Sequence, residues 1–266
     1  MNLTMFQTKY LFFLLVSLFL VCGEKPVKPN KTDLYLGIEK KSYLTGKFNS
    51  PGPLAPVILE ENEKEHFLRP DVKKALHQMI NDFEDSKPSS YKQHIFLVSS
   101  FRNFTHQKGI WESKFTGKKA MRIPIKGKTP EEITSLILEF SSAPGTSRHH
   151  WGTDFDINAL DNGYFEENGK GKILYDWLKE NASKYGFCQP YSRLSTRNNK
   201  GYQEEKWHWS YAPISNQLTK EWVKGFESGE IQLTGSFLGA DVLGNRALDY
   251  VRSINPDCEK IQNPSL

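Results

Sequence analysis

The sequence predicts an α+β fold: a single domain in which helices flank a small, mainly antiparallel sheet. Segments with helical spacing and short apolar or aromatic runs are mixed without the regular alternation that a parallel sheet of βαβ units requires. No internal repeat, low-complexity tract or interior linker divides the chain. Its 266 residues, 38% of them apolar, suffice for one sizeable core.

The elements follow in order. Lys9 precedes an apolar run, Tyr10 to Val21, broken only by Ser17. Such a run is too short to cross a bilayer, so residues 1–23 read as a secretory signal. Cys22 stands where a lipid-modified cysteine would stand, but Val21 replaces the small residue usual before it. Membrane anchoring through a Cys22 lipid and plain cleavage after Gly23 are therefore both readable. Residues 24–56 read as an arm: a Lys/Pro spacer, Glu24 to Lys31, and then a stretch rich in Gly, Pro, Lys and Ser that lies extended on the domain rather than in its core. The main globular domain is expected over residues 57–266.

Arg69 to Phe83 has Val72, Ala75, Leu76, Met79 and Ile80 at helical spacing. The short apolar run His94 to Ser99 predicts a buried strand whose end delivers Arg102. Thr129-Pro130-Glu131-Glu132 combines a capping residue, a proline at the first helical position and first-turn acids, which predicts a helix to about Phe140. Ser142-Ala-Pro-Gly145 stops it. Phe155 to Asn158 reads as a strand, and Gly171 to Lys184 as a helix with Ile173, Leu174, Trp177, Leu178 and Ala182 inward. Tyr185 to Pro190 and Lys206 to Ala212 read as strands, and Ser215 to Ser228 as the last long helix.

The 35 Lys and Arg residues against 31 acids give a net charge of +4, spread too evenly for the basic patch that nucleic-acid binding requires. Nucleic acid is therefore excluded as a partner, and nothing calls for more than a monomer. The three cysteines show no CxxC spacing, which argues against a cysteine metal cluster. Cys188 and Cys258 can pair in an oxidising compartment or lie buried as separate thiols.

The chemistry concentrates in two stretches. Ser147-Arg-His-His-Trp-Gly-Thr-Asp-Phe-Asp156 is dense in ligand-capable side chains, and Glu204-Glu-Lys-Trp-His-Trp-Ser-Tyr211 is the other such stretch. A hydrolytic zinc site wants three N or O ligands and one open position. His149 and Asp156 supply two if Gly152 lets the backbone turn sharply between them, and His208 supplies the third. His150 is the adjacent alternative to His149. In a strand, Trp207 and Trp209 face one side and His208 the other. Strand alternation also separates Glu205 from His208, so a bulge or a strand start must fall between them if both reach the metal.

Ser147-x-His149-x-x-Gly152-x-x-x-Asp156 followed by Glu205-x-Trp207-His208 resembles the D-alanyl-D-alanine carboxypeptidase and dipeptidase family of zinc peptidases. An Arg after a strand with a Gln five residues on, Arg102 and Gln107, is similar to a second feature of that family. The resemblance spans residues from about 92 to 212. It implies Zn2+ in a central cleft on His149, Asp156 and His208, with Glu205 as catalytic base. Arg102, with a catalytic as well as a binding role, would clamp a substrate carboxylate, while Gln107 and Ser147 would bind the substrate backbone. The sequence departs from the motif at Asp154, where the family has Ala; this acid either orients a ligand imidazole or competes beside the metal.

With the export signal, these residues point to a D,D-carboxypeptidase of the periplasm or cell envelope, trimming the terminal D-alanine of peptidoglycan stem peptides. A cross-link endopeptidase is the close variant and would rely less on Arg102. A non-catalytic zinc domain is the reading from another class; Glu205 argues against it, since a structural site usually closes the fourth zinc position with a side chain.

Overall fold

The computed structural model describes residues 34–49, 52–59 and 64–262. The export signal, Cys22 and the Glu24 to Lys31 spacer lie outside the described residues. Among those described, no helix is long and apolar enough to cross a membrane.

The first element corrects the expectation of an extended arm. The Glu39 carboxylate accepts from the amides of Lys41 and Ser42 and starts α1 (Lys40–Leu44). Tyr43 and Leu44 are fully buried in the core. Tyr43 OH donates to the carbonyl of Trp151 (2.6 Å), and Trp151 Nε1 donates to that of Leu44 (3.1 Å). A single-turn helix leaves no periodic stripe in the sequence, yet two apolar side chains anchor it. One compact unit accordingly spans Leu34–Leu266.

β1 (Ala55–Val57) and β2 (His66–Leu68) form an antiparallel pair. The first long helix, α2 (Pro70–Ser86), buries Val72, Ala75, Leu76, Met79 and Phe83, whereas Ile80 is half-buried. β3 (Leu97–Ser99) is shorter than the apolar run that predicts it. α3 (Phe104–Phe115) has no counterpart in the sequence reading. It buries only Gln107 and Trp111 and so presents no stripe; its start is marked by Asn103, whose side chain accepts from the His106 amide (2.8 Å). α4 (Pro130–Ile137) begins with the expected cap, Thr129 and Glu132 bonding reciprocally.

A 3-10 turn, Arg148–Trp151, leads into β4 (Asp154–Ile157). α5 (Lys172–Asn181) turns Leu174, Tyr175 and Leu178 inward, while Ile173, expected inside, is 43% exposed. β5 (Phe187–Cys188) and β6 (His208–Tyr211) follow, then α6 (Ala212–Glu227) and two short helices, α7 (Ala240–Leu243) and α8 (Arg246–Arg252). The main sheet is antiparallel throughout, in the order β3-β4-β6-β5, so the predicted α+β class with a small antiparallel sheet flanked by helices holds. Cys188 and Cys258 form a disulfide that ties the last 3-10 turn, Pro256–Lys260, to the β5 edge.

Candidate metal centre and cleft

Antiparallel register assembles the site. Asp156 on β4 lies directly opposite His208 on β6, and Asp154 opposite Ser210. Alternation puts Asp154 and Asp156 on one face of the sheet, with His208 and Ser210 beside them. Ser99 on β3 pairs with Asp156 from the other side, so the chain leaving β3 delivers Arg102 next to the same carboxylate.

His149 arrives from the 3-10 turn before β4. Gly152 ends that turn with φ +66°, and a Cβ there would stand 2.9 Å from Leu54 Cδ2 and 3.3 Å from the Arg69 amide nitrogen. The sharp turn expected of Gly152 is thus imposed by both conformation and space. His149 Nδ1 donates to the carbonyl of Ser100 (2.7 Å), which leaves Nε2 as the lone-pair nitrogen. His150 spends both ring nitrogens on backbone: Nδ1 donates to the carbonyl of Arg102 (2.6 Å), and Nε2 accepts from the Gly145 amide (3.0 Å). The choice between the two adjacent histidines is therefore made by hydrogen bonding, in favour of His149.

His208 Nε2 donates to Asp154 Oδ1 (3.0 Å), so its Nδ1 faces Asp156 Oδ1 at 3.2 Å and Glu205 Oε2 at 3.4 Å. His149 Nε2 stands 3.4 Å from Asp156 Oδ2. One ligand atom from each of His149, Asp156 and His208 lies within 4.8 Å of the other two. The two imidazole nitrogens thus approach the same carboxylate, one at each oxygen, so that a single cation could reach all three side chains. His149 Nε2 and Asp156 Oδ1 are buried without a hydrogen-bond partner, the condition that a cation would relieve. The donor set of two imidazoles and one carboxylate thus fits a divalent ion of the zinc type.

Glu205 reaches the same point by the strand start that the sequence requires: the His208 amide bonds back to the carbonyl of Glu205 (3.3 Å) in a turn just before β6. That turn also brings Trp207 to the cleft, against Phe140, instead of leaving it on the Trp209 side. Burial raises the Glu205 carboxyl, an effect partly offset by His208 and Arg102. Burial likewise lowers the His149 imidazole to about 4, with Arg102 adding to it, so this side chain stays neutral. For His208 burial acts downward, but hydrogen bonds to Asp154, Asp156 and Glu205 outweigh it and raise the imidazole. A divalent cation would take the place of that proton among the carboxylates.

Beneath these groups lies an ionic support that sequence reading left open. Asp154, fully buried, accepts from Arg148 Nε (2.9 Å) and Thr153 Oγ1 (2.5 Å) as well as from His208. Arg148 also donates to Thr219 of α6 and Ser210 of β6, each at 2.8 Å. Asp154 thus orients the His208 imidazole through its Nε2, leaving Nδ1 toward the candidate metal position.

The cleft in front encloses about 390 Å³. His149, Asp156, His208, Glu205, Arg102 and Gln107 all line it. Arg102 Nη1 donates to Ser99 Oγ (3.0 Å) and stands 3.7 Å from Asp156 Oδ2. Gln107 Nε2 donates to the carbonyl of Ser142 (2.7 Å), leaving a buried Oε1 without a partner. Ser147 is fully buried, with Oγ unpartnered, and lies outside the lining. The lining also includes Lys114 and Lys119, which sequence reading missed; Lys114 sits seven residues after Gln107, two turns on along α3.

With fold and site in view, the comparisons are direct. Residues 65–214 match the VanY family, described as D-alanyl-D-alanine carboxypeptidase, and the chain belongs to that family. A D-alanyl-D-alanine carboxypeptidase of Enterococcus faecalis (strain ATCC 700802 / V583) is 31% identical over 118 residues, 44% of this chain and 40% of its own length. YodJ of Bacillus subtilis (strain 168) is 26% identical over 190 residues, 68% of this chain and 61% of its own length. The chain therefore spans less than two thirds of either relative. A solved structure of VanYB in complex with D-alanine-D-alanine aligns at a TM-score of 0.46 and 22% identity, covering 69% of this chain and 92% of that one.

Proposed function

We propose that the protein is a zinc-dependent D,D-carboxypeptidase that removes the terminal D-alanine of peptidoglycan stem peptides. The observation that carries this reading is the Glu205 carboxylate, buried 3.4 Å from His208 Nδ1, next to the orphaned His149 Nε2 and Asp156 Oδ1. Membership of the VanY family supplies the reaction class. His149, Asp156 and His208 would hold zinc, which when bound supplies Lewis acidity toward the scissile carbonyl and the attacking water.

Glu205 takes the proton of that water and passes it to the leaving amine. Its raised carboxyl suits a group that must both accept and return a proton. Arg102, beside Asp156, is placed to hold substrate negative charge, with Nε buried and unpartnered behind Nη1. Gln107 offers its free Oε1 to a substrate N–H. Ser147 also keeps a buried Oγ without a partner but lies outside the cleft lining, and its expected substrate contact is tested by the KM of Ser147→Ala.

The Cys188–Cys258 disulfide and the apolar run after Lys9 favour action outside the cytoplasm, in the periplasm or cell envelope. The Cys22 lipid anchor is tested by incorporation of labelled fatty acid into the wild-type chain and its absence in Cys22→Ala. The monomeric state is tested by sedimentation.

The deciding experiment measures zinc content and D-alanine release from a muramyl pentapeptide, for the intact protein and Glu205→Gln. Zinc retained in both, with release about 10²–10⁴-fold slower in the variant, is the expected result. Zinc without release in the intact protein would overturn the carboxypeptidase reading and turn attention to cross-linked peptides.

A further inference from the structure

The charges of the cleft are sorted by segment. All three lining cations, Arg102, Lys114 and Lys119, come from the stretch that contains α3. The three lining acids, Asp156, Asp161 and Glu205, come from β4, the loop after it and the turn before β6. The acids are committed elsewhere: Asp156 and Glu205 face the histidines and the candidate metal position, and Asp161 Oδ1 accepts from the Gly163 amide (3.2 Å). A divalent cation at the histidines adds two further positive charges, so the loaded cleft carries a net positive charge with its surplus on the α3 side.

Lys119 is exposed to solvent, so Lys114 is the lining cation that is withdrawn from water without a carboxylate. Lys108, on the same helix, pairs with Glu112 at 3.7 Å, and Arg102 has Asp156 at the same distance. Lys114 donates to the neutral hydroxyl of Ser141, and no carboxylate among the described residues comes within 4.0 Å of its ammonium. Burial in the cleft wall, with Lys119 and Arg102 adding to it and Glu205 opposing, lowers the amine to about 8. A half-buried ammonium without a counter-ion costs stability unless a ligand supplies the anion.

Its position selects the ligand. Gln107 and Lys114 lie two turns apart on one face of α3, about 10 Å along the axis at 1.5 Å per residue. A substrate whose terminal residue is held by Arg102, with its backbone N–H on Gln107, covers the distance from Gln107 to Lys114 in about three extended residues, and the lysine stem shortens it to about two. We propose that Lys114 is the seat for a second substrate carboxylate, carried on a side chain about two residues before the C-terminus whose own carboxylate goes to Arg102. The cleft therefore selects acidic peptides. This rests on the carboxypeptidase reading and names the substrate class for the same site.

The test compares D-alanine release by the zinc-loaded full chain from acetyl-Glu-D-Ala-D-Ala and acetyl-Gln-D-Ala-D-Ala, which differ only in one carboxylate. The expected kcat/KM ratio is about tenfold in favour of Glu, the size of one charge-assisted hydrogen bond. That ratio should collapse toward one in Lys114→Gln and Lys114→Met, and persist in Lys114→Arg. Two neutral variants are used so that one that fails to fold does not decide the matter.

A ratio near one in the intact protein overturns the seat alone, while release from neither peptide overturns the carboxypeptidase reading beneath it. If the neutral variants slow both peptides equally and keep the ratio, Lys114 does not read the side chain. Loss of its effect on C-terminally amidated peptides would then assign it the terminal carboxylate instead, which likewise overturns the proposal.

Discussion

Replacing Asp154 by the alanine usual at its place in the motif should damage both zinc affinity and stability, and the two losses can be separated. The carboxylate accepts from His208 Nε2 at 3.0 Å and from Arg148 Nε at 2.9 Å, both partners being almost wholly enclosed. Without it His208 loses the acceptor that fixes its tautomer, and a missing partner of this kind costs about 10- to 100-fold in metal affinity. Arg148 meanwhile remains buried with only the Thr219 and Ser210 hydroxyls, and breaking such a pair on one side costs about 3–5 kcal/mol. The double variant Arg148→Met with Asp154→Ala removes the whole pair. It should recover a large part of the stability and none of the zinc affinity, because His208 still lacks its acceptor. Competition against a chelating fluorophore reads the affinity, and urea unfolding of the metal-free proteins reads the stability. Unchanged zinc affinity in Asp154→Ala, or affinity restored in the double variant, would refute the orienting role.

Two further outcomes are expected. Cys258→Ser opens a disulfide whose sulfurs are 70 residues apart in sequence, and should lower stability by about 2–5 kcal/mol in urea, a difference abolished when the wild type is reduced. Lys114→Met should be more stable than the wild type at pH 7. The amine is lowered from 10.5 to about 8, so folding opposes its protonation; the penalty is complete below pH 8 and fades as pH rises toward 10.5, where wild type and variant should converge in thermal melts. The charged groups acting on Lys114 are Lys119, Arg102 and Glu205, and a gap between the two proteins that does not narrow with rising pH would contradict the assignment.

The site was more legible than the frame that carries it. The spacing of His149, Gly152 and Asp156 marked the ligand candidates, whereas the pairing that sets Asp156 opposite His208 comes from the register of β4 against β6. Glu205 and His208, three apart, demanded a strand start between them, and the turn before β6 provides it. What could not be read was decided by contacts distant in sequence. His149 and His150 are chemically identical in the sequence, and only the carbonyls of Ser100 and Arg102 give them different duties. α3 was invisible because only Trp111 and Gln107 are buried on it, with Phe104 and Phe115 packed at its two ends, so no apolar period marked it, although Asn103 was there as a cap. Ile173 and Tyr175 competed for the inner face of α5, and the aromatic ring took it.

The register of β4 against β6 also explains how the metal ligands are held rigid. It builds two tiers on one sheet face, Asp156 with His208 in front and Asp154 with Ser210 behind. Arg148 bridges the rear tier and continues to Thr219 on α6, so the orientation of His208 is fixed by an ionic contact that reaches the helix packed behind the sheet. A neutral partner at position 154 would leave that guanidinium uncompensated, and an arginine without the acid would be worse than neither. Positions 148 and 154 are therefore energetically coupled: losing the acid alone should cost more stability than losing both members of the pair.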